Sequence, residues 1–174
     1  MILHLRGYVN EEMVQTLVDS YNRLEMTKDG EIEPLDILFS SPGGSCASTA
    51  AIVYLINANK DITTFTGYEQ LLSNGFRIFF EVECKKVLLK ETRAMYHLTS
   101  LEGLMYIEGN VAHNLEFENF IKSTMNSFDY LNDTNNLVQF TAKELELIKS
   151  GKDLWVTPKR LSQMLKFNLK YLNI

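Results

Sequence analysis

Leu35-Asp36-Ile37-Leu38-Phe39-Ser40-Ser41-Pro42-Gly43-Gly44-Ser45 runs a short apolar segment straight into two serines, a proline and two glycines. The apolar run has the length of a buried strand, and the turn residues end it abruptly. Cys46 to Ala58 is small and apolar and suits a helix. The order of strand, tight turn and helix recurs on both sides. Upstream, Ile2 to Leu5 reads as a strand, and Asn10 before Glu11 and Glu12 as the N-cap of a helix over residues 11–25, with Met13, Leu17, Tyr21 and Leu24 at helical spacing. Met26 to Pro34 is a polar loop. Downstream, Ile62 to Thr66 reads as a third strand, Gly67 to Gly75 as a turn, Phe76 to Glu83 as a helix, and Val87 to Leu89 and Ala94 to Tyr96 as two short strands. Alternating strands and helices with connections this short predict an α/β domain built on a largely parallel sheet.

The second half has a different texture. Asn110 to Leu131 carries Leu115, Phe117, Phe120, Ile121, Met125 and Phe128 at helical spacing, more apolar than a lone surface helix needs, as expected of an arm that packs on another chain. Asp133 to Asn136 is a polar break. Thr141, with Glu144 three residues on, opens a further helix to Lys149 as a capping box, and Pro158 begins a last helix or turn.

A chain of 174 residues with 45% hydrophobic and 11% aromatic side chains is sized for one domain with one core, which excludes disordered and collagen-like classes. The formal net charge of −5 has the wrong sign for nucleic-acid binding by phosphate neutralisation. Cys46 and Cys84 form no CxxC pair and belong to no Cys/His ladder at zinc spacing, so a reduced cytoplasmic protein without a metal site is expected. Met1 to Arg6 is too short for the apolar part of a signal peptide, and the longest apolar stretch, Thr49 to Ile56, falls far short of a membrane span. The expectation is a soluble protein with neither nucleic acid nor membrane as partner.

Four features could carry chemistry. Ser41-Pro42-Gly43-Gly44-Ser45 frees backbone N–H groups and admits a ligand closely, although taken alone an ordinary turn explains it more often. Ser73-Asn74-Gly75 stands at another strand-to-helix junction, where a serine either exposes its hydroxyl or, more commonly, caps the helix. His97 closes the strand-like Arg93-Ala94-Met95-Tyr96 and could take a proton from a serine, or be structural. His4 and His113 are the other histidines, and His113 falls in the amphipathic helix. Asp153 precedes an apolar stretch holding the only tryptophan, Trp155. Burial there would call for a partner such as a histidine N–H, and a turn or cap aspartate is the equal alternative.

These four elements, in this order and with Leu5-Arg6-Gly7-Tyr8-Val9-Asn10 ahead of them, resemble the Clp protease proteolytic subunit family. The resemblance spans nearly the whole chain, and the Ser, His, Asp order differs from those of lipase-like hydrolases, subtilisins and chymotrypsins. It implies a Clp protease/crotonase-like α/β fold of repeated ββα units with a projecting helical handle. Residues 1–174 would form a single domain, with the head at 1–97 and 150–174 and the handle at about 98–149. It implies a serine endopeptidase in which Ser73 is the nucleophile, His97 the general base and Asp153 its orienter. The N–H groups of Gly44 and Asn74 would form the oxyanion hole, with no cofactor. Peptides or unfolded proteins would be cleaved inside a homo-oligomeric chamber, a heptamer or tetradecamer.

The departures carry their own expectations. Tyr68-Glu69-Gln70-Leu71-Leu72 and Phe76, Arg77, Phe79, Phe80 and Glu81 stand where the family has small residues, which implies a narrower or more polar pocket. Asn74 replaces the usual methionine, Leu98-Thr99 the usual Gln-Pro, and Ser100 to Leu104 the glycine-rich strand that pairs with substrate. Met1 begins almost at the first core strand, so by the resemblance the axial loop segment is expected to be missing and coupling to a hexameric AAA+ unfoldase to be weak. A shortened, divergent chain of this sort suits a phage-encoded member working in the host cytoplasm. The alternatives are a catalytically inactive Clp-like structural or regulatory subunit and, further off, a crotonase-type acyl-CoA enzyme.

Overall fold

The computed structural model describes residues 1–97, 140–164 and 169–172. Its elements are β1 (Ile2–Arg6), α1 (Glu11–Asn22), β2 (Leu35–Ser41), α2 (Cys46–Ala58), β3 (Thr63–Leu72), α3 (Asn74–Glu81), β4 (Lys85–Leu89), β5 (Arg93–Tyr96), α4 (Ala142–Lys149), β6 (Leu154–Val156), α5 (Pro158–Met164) and β7 (Leu169–Leu172). Two helix starts follow the sequence signals. Asn10 accepts a hydrogen bond from the Met13 N–H at 2.9 Å, and Thr141 and Glu144 close a reciprocal capping box at the start of α4. The expected helix over 110–131, the strand departure at 100–104, His113 and the greater part of the expected handle lie outside the described residues.

A mixed α/β sheet orders its main strands β1-β2-β3-β4-β7, all parallel, as the alternating pattern predicts. β3 holds two neighbours on one side. It pairs with β4 through Thr64 to Gly67, then with β5 through Gln70 to Leu72. Between the two ladders the register against β2 shifts, and Glu69 takes φ +58°, a left-handed value unusual for a side-chain-bearing residue. The expected turn over Gly67 to Gly75 is therefore corrected: the strand bends at Glu69 and continues to Leu72. Its backbone groups beyond the bend find partners on β5, which local turn chemistry does not reveal. Arg6 Nη2 donates to the Glu69 carboxylate at 2.9 Å and the Ser40 hydroxyl donates to it at 3.4 Å, holding the bend.

The core lies between this sheet and the helices. Phe39, Phe65 and Phe79 are fully buried, with ring centroids 5.0 Å apart for the first pair and 6.1 Å for the second. Leu17 of α1 and Ile52 and Ile56 of α2 are also fully buried, each side chain contributing about 1.5–3 kcal/mol by leaving water. β6 and β7 go beyond the sequence reading: β6 has three residues, and β7 pairs with β4 in the register Lys86↔Leu169 to Leu89↔Leu172. Among the described residues no helix is long and apolar enough to cross a membrane.

Candidate active site

Two strand-to-helix junctions, β2 to α2 and β3 to α3, meet at the carboxyl ends of the parallel strands, where ligands bind in open α/β sheets. In the first, the buried Ser41 Oγ accepts the Gly43 N–H at 3.0 Å, Val9 N–H donates to the Gly43 carbonyl at 2.8 Å, and Ser45 N–H donates to the Val9 carbonyl at 2.8 Å. Gly43 and Gly44 take φ +109° and +146°. A Cβ on Gly43 would stand 2.8 Å from the Ser73 Cβ, and one on Gly44 would run into the Val9 backbone, so both positions demand glycine. The Ser45 hydroxyl accepts the Ser48 N–H at 3.2 Å and caps α2.

Ser73 occupies the matching place before α3 and behaves differently. Its backbone sits at φ +53°, ψ −121°, and its side chain makes no capping bond. Its N–H extends the β3–β5 ladder by donating to the Met95 carbonyl at 2.9 Å. The hydroxyl lies 2.8 Å from His97 Nε2. Of the two uses open to a serine at a helix start, the capping one is thus not taken.

His97 follows β5, which is flanked by β3 on one side and by antiparallel β6 on the other. The β5–β6 ladder runs Ala94↔Val156, Met95↔Trp155, Tyr96↔Leu154, so one further step sets His97 opposite Asp153. Asp153 Oδ1 is 3.6 Å from His97 Nδ1, close enough for ion pairing and longer than a hydrogen bond. The aspartate side chain is 50% exposed and Trp155 is 60% exposed. Of the two settings open to Asp153, burial beside Trp155 is not the one taken, because the three-residue β6 turns Leu154 and Val156 inward and Trp155 outward.

Asn74 opens α3, so its N–H is one of the helix's unpaired N-terminal donors. Neither this N–H nor that of Gly44 has an acceptor among the described residues. The Asn74 side chain, 6% exposed, donates through Nδ2 to the Gly44 carbonyl at 2.6 Å and to Cys46 Sγ at 3.3 Å. Arg77 Nη1 donates to Asn74 Oδ1 at 3.4 Å, and Arg77 Nε to Glu81 Oε1 at 3.1 Å. Sequence reasoning singled out the Asn74 N–H and missed this role of its side chain. The available signal was Asn74, Arg77 and Glu81 at helical spacing on one short helix.

Tyr96 wedges between Phe76 and Phe140, with ring centroids at 5.6 and 5.5 Å, and burial pushes its hydroxyl up to about 12. Neutral and packed, it steadies the end of β5 from which His97 projects. Among the described residues no group of three or more His, Cys, Asp or Glu side chains is gathered as a metal site. A serine hydroxyl against an imidazole, a carboxylate beyond it and unpaired N–H groups nearby are the parts that acyl transfer uses.

No family profile matches the chain, and no curated protein matches it by sequence. Solved structures do: a point mutant of ClpP1 from Listeria monocytogenes matches over 99% of this chain and 91% of its own, with a TM-score of 0.65 and 17% sequence identity. At that identity the likeness concerns the fold, and the fold of this chain is the mixed α/β fold of ClpP.

Proposed function

We propose that this chain is a serine-type peptidase subunit of the Clp kind, hydrolysing peptide bonds in peptides or unfolded proteins inside a homo-oligomeric chamber. The observation that carries the reading is the 2.8 Å approach of the Ser73 hydroxyl to His97 Nε2, from a serine at positive φ whose hydroxyl is not spent on capping. Ser73 Oγ attacks the scissile carbonyl carbon while His97 Nε2 takes its proton. The carbonyl π electrons move to oxygen, and the N–H groups of Gly44 and Asn74 stabilise that oxyanion. Collapse expels the amine, which receives the proton from His97, and water repeats the sequence on the acyl-serine. Asp153, 3.6 Å from Nδ1, favours the imidazole tautomer with Nδ1 protonated and the imidazolium that forms when His97 takes the proton.

The test is fluorophosphonate labelling of size-fractionated protein, with the adduct located by peptide mapping. Labelling of Ser73 within a large assembly is expected. Ser73→Ala should lose the adduct and lower the peptidase rate by about 10⁴-fold or more. Peptide cleavage by Ser73→Ala at the wild-type rate would sink the assignment.

One observation favours a second reading, a Clp-like subunit without activity of its own. The Asp153 carboxylate is half exposed and stands beyond hydrogen-bond length from His97. A large assembly that takes no label, beside a labelled control hydrolase, would select it.

A further inference from the structure

We propose that the Asn74 side chain, oriented by Arg77 and Glu81, is a positioning group that locks the Gly44–Ser45 peptide and so sets the separation of the two oxyanion donors. The inference rests on the hydrolytic reading above and concerns a part of the site that reading leaves unexplained. Gly44 lies between two peptide groups. The Gly43–Gly44 peptide is held through its carbonyl by Val9 N–H at 2.8 Å. The Gly44–Ser45 peptide is held at its N–H by the Val9 carbonyl at 2.8 Å and at its carbonyl by Asn74 Nδ2 at 2.6 Å. Glycine at φ +146° has little intrinsic preference for that conformation, so these three bonds keep it there.

Asn74 differs from the other anchors in being attached to the second donor. Its backbone N–H is one proposed oxyanion contact, and its side chain grips the residue carrying the other. A single residue thereby spans the hole from behind. The amide must present its NH₂ to Gly44 and its oxygen the other way, and Arg77 imposes that sense. The guanidinium donates to Oδ1 at 3.4 Å and is itself aimed by the Glu81 carboxylate at 3.1 Å. An amide flip would set Asn74 oxygen against the Gly44 carbonyl and its NH₂ against the guanidinium, two repulsive contacts in a buried place.

The experiment compares wild type, Asn74→Leu and Arg77→Gln by two measurements. One is the saturation kinetics of fluorophosphonate labelling at Ser73; the other is amide hydrogen exchange in Gly43 to Ser45, with β2 as the reference for folding. In Asn74→Leu the maximal labelling rate should fall about 10- to 100-fold with little change in half-saturation, since misplacing a donor acts on the transition state. Loop exchange should rise by about tenfold or more while β2 stays protected. Arg77→Gln should move both readouts the same way by about threefold. Unchanged loop exchange in both variants would overturn the clamp, whatever the labelling shows. Faster loop exchange in a protein whose wild type takes no label would uphold the clamp and overturn the hydrolytic reading. If Asn74→Leu loses protection in β2 as well, Arg77→Gln decides, and no rise there overturns the proposal.

Discussion

Ser45 and Ser73 stand at equivalent places, each the residue between a parallel strand and the helix that follows. Ser45 has φ −65° and gives its hydroxyl to the Ser48 N–H, the ordinary use of a serine at a helix start. Ser73 has φ +53°, leaves its helix uncapped by a side chain, and turns its hydroxyl to His97. Residue type and chain position are the same, so the difference comes from what surrounds them. The Met95 carbonyl claims the Ser73 N–H, and the Gly43-Gly44 loop leaves just enough room beside it. The Ser45 hydroxyl serves stability, while Ser73 gives up about 1 kcal/mol of cap and accepts backbone strain as its hydroxyl turns to His97.

Substitutions at the two junctions can break this contrast or sharpen it. The largest stability effect is expected at Gly44→Ala, where a Cβ meets the Val9 backbone at a φ foreign to L-residues: a loss of about 2–4 kcal/mol in urea unfolding. A neutral result would mean the loop conformation is not demanded by its neighbours. Next come two changes of opposite sign. Ser45→Ala should destabilise by about 1 kcal/mol and leave fluorophosphonate labelling intact. Ser73→Gly should stabilise by about 1 kcal/mol, strain relief outweighing the added freedom of the unfolded chain, while abolishing labelling. The same sign for both would erase the distinction.

The smallest effect lies at the third capped start. Glu144 closes the capping box of α4 and also receives Arg160 at 2.7 Å, and the Arg160 hydrogen bonds pull its carboxyl down to about 2. With a folded-state value below the ordinary 4.5, Glu144 adds stability that is complete above the unfolded value and lost as pH falls from there toward about 2. Thermal melts of Glu144→Gln should therefore shift less than those of wild type between about pH 6 and about pH 3. An equal shift in both proteins would show that α4 is held as α2 is, without an acid-dependent part.

The caps at Asn10 and Thr141 were legible because a cap is a local signal, a side chain and an N–H three residues apart. The same signal at Ser73 points to a cap that does not form, since its competitors, Met95 and His97, arrive from another strand. The parallel sheet was legible from alternation, and the bend at Glu69 was not, because only β5 makes sense of it. Ser73, His97 and Asp153 each had an ordinary structural alternative in isolation, and only the family resemblance drew them together. Their approach depends on strand register, which no local pattern carries. The Asn74 side chain stayed unread for a related reason: its partner, the Gly44 carbonyl, belongs to a different junction.

The ladder that sets His97 opposite Asp153 has a consequence for how such a chain can change over generations. Both residues are positioned by pairing at one sheet edge, not by the length of what connects them. Insertions or deletions in the long intervening stretch leave their alignment alone as long as β6 finds its place on β5. A slip of one residue in that short strand would instead turn Asp153 to the opposite face and end the arrangement at once. The arrangement thus depends on the phase of one short pairing, which keeps three neighbouring strand ends in step.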